Sequence, residues 1–181
     1  VPMMEKKVIM LAFVAAACSS ALPALAADGQ VNFTGNIVDA ACKVTNDLSN
    51  PLNVVLGDVA RTAFAGGKGS TSSATKFTLE VTDCPDTVNS ATVKFDGAAD
   101  NGDSNVLQLT QETDVATGVG IQLSDISNSV LPLYTASTIH QLASGSGVKN
   151  NLDFTARYIS TQADVTAGKA NSVATFTLNY N

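Results

Sequence analysis

A chain of 181 residues with 45% apolar and only 14% charged side chains can build one globular domain with a sizeable core, and a second domain is not expected. Its 16 acidic residues against 10 basic ones give a net charge of −6, which argues against nucleic acid and anionic membranes as partners.

Residues 1–26 read as a targeting segment. Lys6 and Lys7 supply a basic start, and Val8 to Ala17 form an apolar run too short to span a bilayer stably. After Pro23, Ala24-Leu25-Ala26 has the small-x-small pattern of signal peptidase cleavage, which places the cut before Ala27. Val1 and Pro2 precede Met3 and Met4 and carry no fold information. Cys18 sits inside the apolar run without the leucine of a lipoprotein site, so no lipid anchor is read there. Removing this segment takes away Lys6, Lys7 and Glu5 and leaves 8 basic against 15 acidic residues, a net charge of −7. It also leaves two cysteines, Cys42 and Cys84, and an exported pair in an oxidising compartment is most simply a disulfide.

From Val31 onward the apolar pattern has period two, with β-branched residues between clusters of Gly, Asn, Asp and Ser, which predicts an all-β chain. Strands are expected at Val31–Val38, Cys42–Val44, Leu52–Val55, Phe77–Asp83, Thr92–Phe95, Leu107–Thr110, Gly120–Leu123, Leu152–Ile159 and Ala174–Tyr180. Turn chemistry separates them at Gly66-Gly67-Lys68-Gly69-Ser70, Asp96-Gly97, Asn101-Gly102, Ser144-Gly145-Ser146-Gly147 and Ala167-Gly168. Gly57–Ala65 has room for one helical turn. So many short strands predict an immunoglobulin-like sandwich. Trp is absent, so the core must rest on Phe33, Phe77, Phe95, Phe154, Phe176 and the aliphatic residues.

The two ends are the informative parts. Val31, Phe33, Gly35 and Ile37 share one face of an extended segment, with Asn32, Thr34 and Asn36 on the other. Ala174, Phe176, Leu178 and Tyr180 alternate with Thr175, Thr177 and Asn179 up to Asn181. These two strands either pair within one domain as its first and last, or the sandwich lacks a strand and the N-terminal segment of one copy fills the gap in the next. In the second arrangement, burying Val31, Phe33 and Ile37 is worth roughly 5–9 kcal/mol gross. The open edge would then be an aggregation hazard during export and would demand a chaperone.

The stretch Gly29-Gln30-Val31-Asn32-Phe33-Thr34-Gly35-Asn36-Ile37-Val38-Asp39-Ala40-Ala41-Cys42 resembles the donor strand and first cysteine of chaperone–usher pilus subunits, most closely major pilins of the type 1 kind. The likeness runs on through Val55-Leu56-Gly57-Asp58-Val59, Phe77-Thr78-Leu79 with Asp83-Cys84, Gly118-Val119-Gly120-Ile121-Gln122-Leu123 and Phe154-Thr155-Ala156-Arg157-Tyr158. Its most specific elements are C-terminal: Tyr180 is penultimate, and Gly168 stands fourteenth counting Asn181 as first.

The resemblance implies an all-β, incomplete immunoglobulin-like sandwich with one disulfide, missing its final strand. Residues 1–26 would be the signal peptide, 27–38 a donor-strand extension and 39–181 the pilin domain. Val31, Phe33, Gly35 and Ile37 would enter a groove on a neighbouring subunit. Gly168, Ala174, Phe176, Leu178, Tyr180 and Asn181 would belong to the acceptor strand, which a periplasmic chaperone holds until the outer-membrane usher exchanges it for the next donor. Identical or related subunits would thus join head to tail in a fimbria at the surface of a Gram-negative cell, supporting adhesion. No membrane insertion is implied once the signal is removed.

Other constellations are weak. His140, the only histidine, lies in a polar stretch with no carboxylate nearby in sequence and reads as a rim residue. Asp96, Asp100 and Asp103 with Gly97 and Gly102 miss the ligand order of a calcium loop and read as a solvated hairpin. Asn32-Phe33-Thr34 matches a glycosylation acceptor only formally, and Arg157 reads as a strand arginine reaching the rim. No catalytic residue, metal set or cofactor motif is read. Two other roles share these features, a minor or adaptor pilin and a monomeric secreted β-sandwich binding module.

Overall fold

Seven strands and one turn of 3-10 helix make up the domain in the computed structural model, which describes residues 28–35, 37 and 41–181. The segment that ends at Ile37 and the domain that follows are separate units. In chain order the elements are β1 (Lys43–Val44), the 3-10 turn Arg61–Phe64, β2 (Thr75–Thr82), β3 (Ser90–Asp96), β4 (Val119–Asp125), β5 (His140–Gln141), β6 (Lys149–Ser160) and β7 (Thr175–Tyr180). They form two antiparallel sheets, ordered β1-β2-β6-β4 and β5-β3-β7.

Alternation sets the register. In β2, Leu79 and Val81 point into the core, and β6 answers with Leu152 and Phe154, so that Phe77 faces Phe154 and Leu79 faces Leu152. A one-residue slip would turn both sets outward. On the outer face Asp153 accepts a hydrogen bond from Thr78 at 2.6 Å and pairs with Lys76 at 3.3 Å, while Lys149 pairs with Glu80 at 3.5 Å. Without a tryptophan, four phenylalanines join the sheets: the Phe95 ring lies 5.9 Å from Phe77, 5.1 Å from Phe154 and 6.4 Å from Phe176. Strand β4 is buried along its length because Leu107 and Val130 bridge to its outer edge.

Cys42 and Cys84 form a disulfide that ties the start of β1 to the end of β2 across 42 residues. Closing that loop stabilises the fold by about 4 kcal/mol by chain entropy.

Several expected elements differ. Leu107–Thr110 forms no ladder, only isolated bridges from Leu107 to Ala99 and Ile121. Leu52–Val55 forms no strand either; with Thr75–Thr78 it borders a hollow of about 480 Å³. The two-residue β5 escaped prediction because its alternation is too short to read. Gly57–Ala65 does contain the expected helical turn, with Phe64 buried. The described residues of Val31–Val38 carry no strand, since one extended segment alone has no ladder to join. The targeting segment 1–26, together with Asn36 and Val38, lies outside the described residues.

Candidate functional site

Strand β7 is the edge of its sheet, and the direction of its main chain follows from its last residue. Asn181 donates its N–H to the Ser90 carbonyl at 2.8 Å, and Ser90 donates back to the Asn181 carbonyl at 3.0 Å. Such doubly bonded pairs alternate along an antiparallel ladder, so Asn179, Thr177 and Thr175 turn their main-chain groups toward β3. The N–H and C=O groups of Phe176, Leu178 and Tyr180 therefore face away from it. Among the described residues none of these six groups has a hydrogen-bond partner. The side chains of the same three residues point at the core yet stay half-buried, as the pattern of β7 records.

Beyond the start of β7 lies a cavity of about 360 Å³. One wall is Gly57–Val59 with Arg61 and Phe64; the other is Val165–Asn171, with Ala116, Val119 and Tyr158 between them. The Tyr158 hydroxyl donates to the Ala170 carbonyl at 2.7 Å, and Thr110 N–H donates to the Asn171 carbonyl at 2.7 Å, which fixes the second wall. Burial, with a smaller contribution from Asp58, pushes the Tyr158 phenol up, and burial does the same to Tyr180. Both hydroxyls stay protonated at neutral pH.

The structure gathers Phe176, Leu178 and Tyr180 in one strand, with Asn181 bonded at its end to Ser90 and, through its carbonyl, also to the Asn89 N–H at 2.9 Å. Ala174 lies just before the strand. Gly168 lies further back, in the cavity wall. Of the other sequence candidates, Val31, Phe33 and Ile37 are 74%, 92% and 101% exposed, and an added Cβ at Gly35 would meet nothing within 4 Å. The cavity residues Phe64 and Ala116 went unnoticed in the sequence, and Tyr158 entered only as part of the family likeness. The lining residues are far apart along the chain, and Gly168 was the one among them singled out as a site residue.

His140 is half-buried, beside exposed Ile139 and Gln141. Its ring lies 5.3 Å from Phe154, and its buried Nε2 has no partner among the described residues. Burial lowers its pKa, against Asp153 and Asp125, which raise it. Arg157 is held inside its sheet, donating from Nε to Gln122 at 2.9 Å. Among the described residues no group of His, Cys, Asp or Glu is arranged to hold a metal, and no helix is long and apolar enough to cross a membrane.

A two-sheet sandwich whose last strand keeps an unpaired edge above half-buried apolar side chains defines an incomplete β-domain, built to receive a strand. The family profile described as "Fimbrial protein" matches residues 31–181, and the chain belongs to that family. It is 37% identical to long polar fimbria protein A of Salmonella typhimurium over 179 residues, covering 98% of each chain. It is 38% identical to the type-1 fimbrial protein A chain of Escherichia coli K12, covering 98% of this chain and all of that one. Among solved structures, the type I fimbria protein of Burkholderia pseudomallei matches with a TM-score of 0.58 at 36% identity, over 84% of this chain and 97% of that one. The P pilus rod subunit PapA shares the fold, with a TM-score of 0.63 at 21% identity over 78% of this chain and the whole of that one. The protein is a structural subunit of a fimbria, carried at the cell surface.

Proposed function

We propose that this subunit polymerises by donor-strand exchange, with Val31, Phe33, Gly35 and Ile37 of one copy laid along the open edge of β7 in the next. The observation that carries the reading is the outward row of unpaired main-chain groups on Phe176, Leu178 and Tyr180 above an incompletely covered core. The tail has the matching chemistry: apolar side chains every second residue and free backbone donors and acceptors between them.

The donor runs antiparallel to β7, the more favourable ladder. With Val31 opposite Leu178, Phe33 lies opposite Phe176 and Gly35 opposite Ala174. Ile37 then falls opposite Ser172, at the mouth of the cavity that ends at Asn171. Gly35, which lacks a side chain, lets the two backbones close up where Ala174 supplies little more than a methyl. Burying the three apolar residues contributes roughly 5–9 kcal/mol gross.

Before assembly the same edge would be covered by a periplasmic chaperone that lends its own strand, and the usher would be where one strand replaces the other. Residues 1–26 would direct export, and residues 27–38 would form the donor extension. A likeness to the probable major fimbrial subunit LpfA of Escherichia coli O157:H7, 37% identical over 178 residues, supports a rod subunit over an adaptor.

The test is light scattering after size exclusion on the exported protein, beside a variant lacking residues 27–38, each with and without the chaperone. A 1:1 chaperone complex that yields SDS-resistant multimers only when residues 27–38 are present is the expected result. A stable monomer that never needed the chaperone would favour a secreted binding module instead.

A further inference from the structure

We infer that the loop of residues 142–148, latched by the side chain of Asn150, is a lid that shields the Cys42–Cys84 bond from attack by thiols at the Cys84 sulfur. The inference does not depend on how the N-terminal tail is used.

Asn150 lies in β6 in phase with Leu152 and Phe154, at an inward position that the alternation of the strand would otherwise fill with an apolar side chain. It is 8% exposed, and its amide is fully used. The Oδ1 atom accepts from the Ala143 N–H at 2.8 Å, while Nδ2 donates to the Ala143 carbonyl at 2.9 Å and to Cys84 Sγ at 3.6 Å. The reciprocal pair with Ala143 copies a rung of a β-ladder, with a side-chain amide standing in for one backbone. One group thus holds the loop and touches the sulfur.

The loop is fastened again around Cys84. Gly145 N–H donates to the Cys84 carbonyl at 3.0 Å, Gly147 N–H to Asp83 Oδ1 at 2.6 Å, and Leu142 N–H to the Asn89 carbonyl at 2.8 Å. Gly145 and Gly147 have φ of 128° and 73°, which side chains rarely tolerate, so glycine lets the loop aim these N–H groups inward. Ala143, Ser144, Ser146 and Gly147 face solvent, whereas Cys84 beneath is only 2% exposed.

Thiol exchange needs a thiolate to reach one sulfur of the bond. Attack at Cys84 would join the thiol to its Sγ, break the bond to Cys42 and release Cys42 as a thiolate, which takes a proton from water. With the lid shut, the Asn150 amide and the loop stand against that sulfur. Opening the lid bares Cys84 and leaves the surroundings of Cys42 as they are, so it also decides which cysteine is attacked.

The experiment uses the full exported chain under native conditions with glutathione as the attacking thiol. Asn150→Leu removes the latch, and the freed groups of exposed Ala143 can turn to water. Asp83→Gly removes the Gly147 anchor and suits the φ of 54° at that position. Ile121→Ala, in β4, lowers stability away from the lid. After acid quench and alkylation, mass spectrometry reads how fast glutathione attaches and at which cysteine; unfolding rates are measured separately. Wild type and Ile121→Ala should react no faster than they unfold, their rates levelling off as glutathione is raised. Both lid variants should react about tenfold or more faster than they unfold, in proportion to glutathione, as local opening requires. In them glutathione should sit on Cys84, with Cys42 free. Wild type reacting as fast as the lid variants, lid variants held to their unfolding rates, or glutathione first on Cys42 overturns the inference. If Asn150→Leu does not fold, Asp83→Gly decides by the same readouts.

Discussion

Truncating Phe33 to alanine is the sharpest single test of what the tail is for. Within its own segment the ring is 92% exposed, so its removal costs the free tail nothing in lost packing. Laid against Phe176, the ring instead covers core that β7 leaves half open. Phenylalanine-to-alanine changes at buried sites cost 3–5 kcal/mol, and an edge groove that relaxes partly belongs at about 3 kcal/mol. At about 1.4 kcal/mol per tenfold change, that is about two orders of magnitude in the stability of the complemented subunit. Denaturant unfolding of the tail-deleted subunit saturated with the 27–38 peptide, natural or Phe33→Ala, reads the difference directly. Asn32→Ala is the internal control, because its side chain leaves the opposite face and its loss should stay within about 0.5 kcal/mol. Equal stability with the natural and the Phe33→Ala peptide would refute burial of this ring in the groove.

Replacing both cysteines by alanine should remove about 4 kcal/mol from the complemented subunit, seen as a lower denaturant midpoint with little change in slope. Phe154→Ala, at a fully buried site in the four-ring cluster, should cost about 3–5 kcal/mol and lower the yield of the chaperone complex. His140 is held below its ordinary value of 6.5 mainly by burial, so the folded state favours the neutral ring. Stability is therefore complete above about pH 6.5 and declines as the pH falls through and below that value, where the unfolded chain takes up the proton more readily. His140→Gln should flatten that acid limb in unfolding curves, and NMR titration of the ring should give a midpoint below 6.5. A midpoint above it would show that Asp153 and Asp125 outweigh burial.

Most strands were legible because their alternation is long enough to read. Thr75–Thr82 and Lys149–Ser160 pair over eight residues, so each inward side chain meets another, and the two patterns reinforce one another. Leu107–Thr110 has the same composition but sits across β4 as an isolated bridge, since its main chain is shared with Ala99 and Ile121. The cavity was illegible for a different reason. Phe64, Ala116, Tyr158 and Ala170 come from the 3-10 turn, a loop, β6 and a second loop, and nothing in their local spacing announces that they meet. His140 reads as a rim residue beside Ser137 and Thr138, and the contact of its ring with Phe154 across the sheets is not announced by those neighbours.

By itself, the sequence determined the all-β class, the pairing of its two exported cysteines and the apolar faces of both ends, because alternation and redox setting are local or compositional properties. Whether the last strand has an unpaired edge is not local. That depends on which strand lies beside β7 in space, and only the sheet order β5-β3-β7 decided that Phe176, Leu178 and Tyr180 offer their backbone outward. Likewise the sequence marked Gly168 as unusual, but only the backbone atoms of Asp114, Val115 and Ala116 crowded around it supplied the reason.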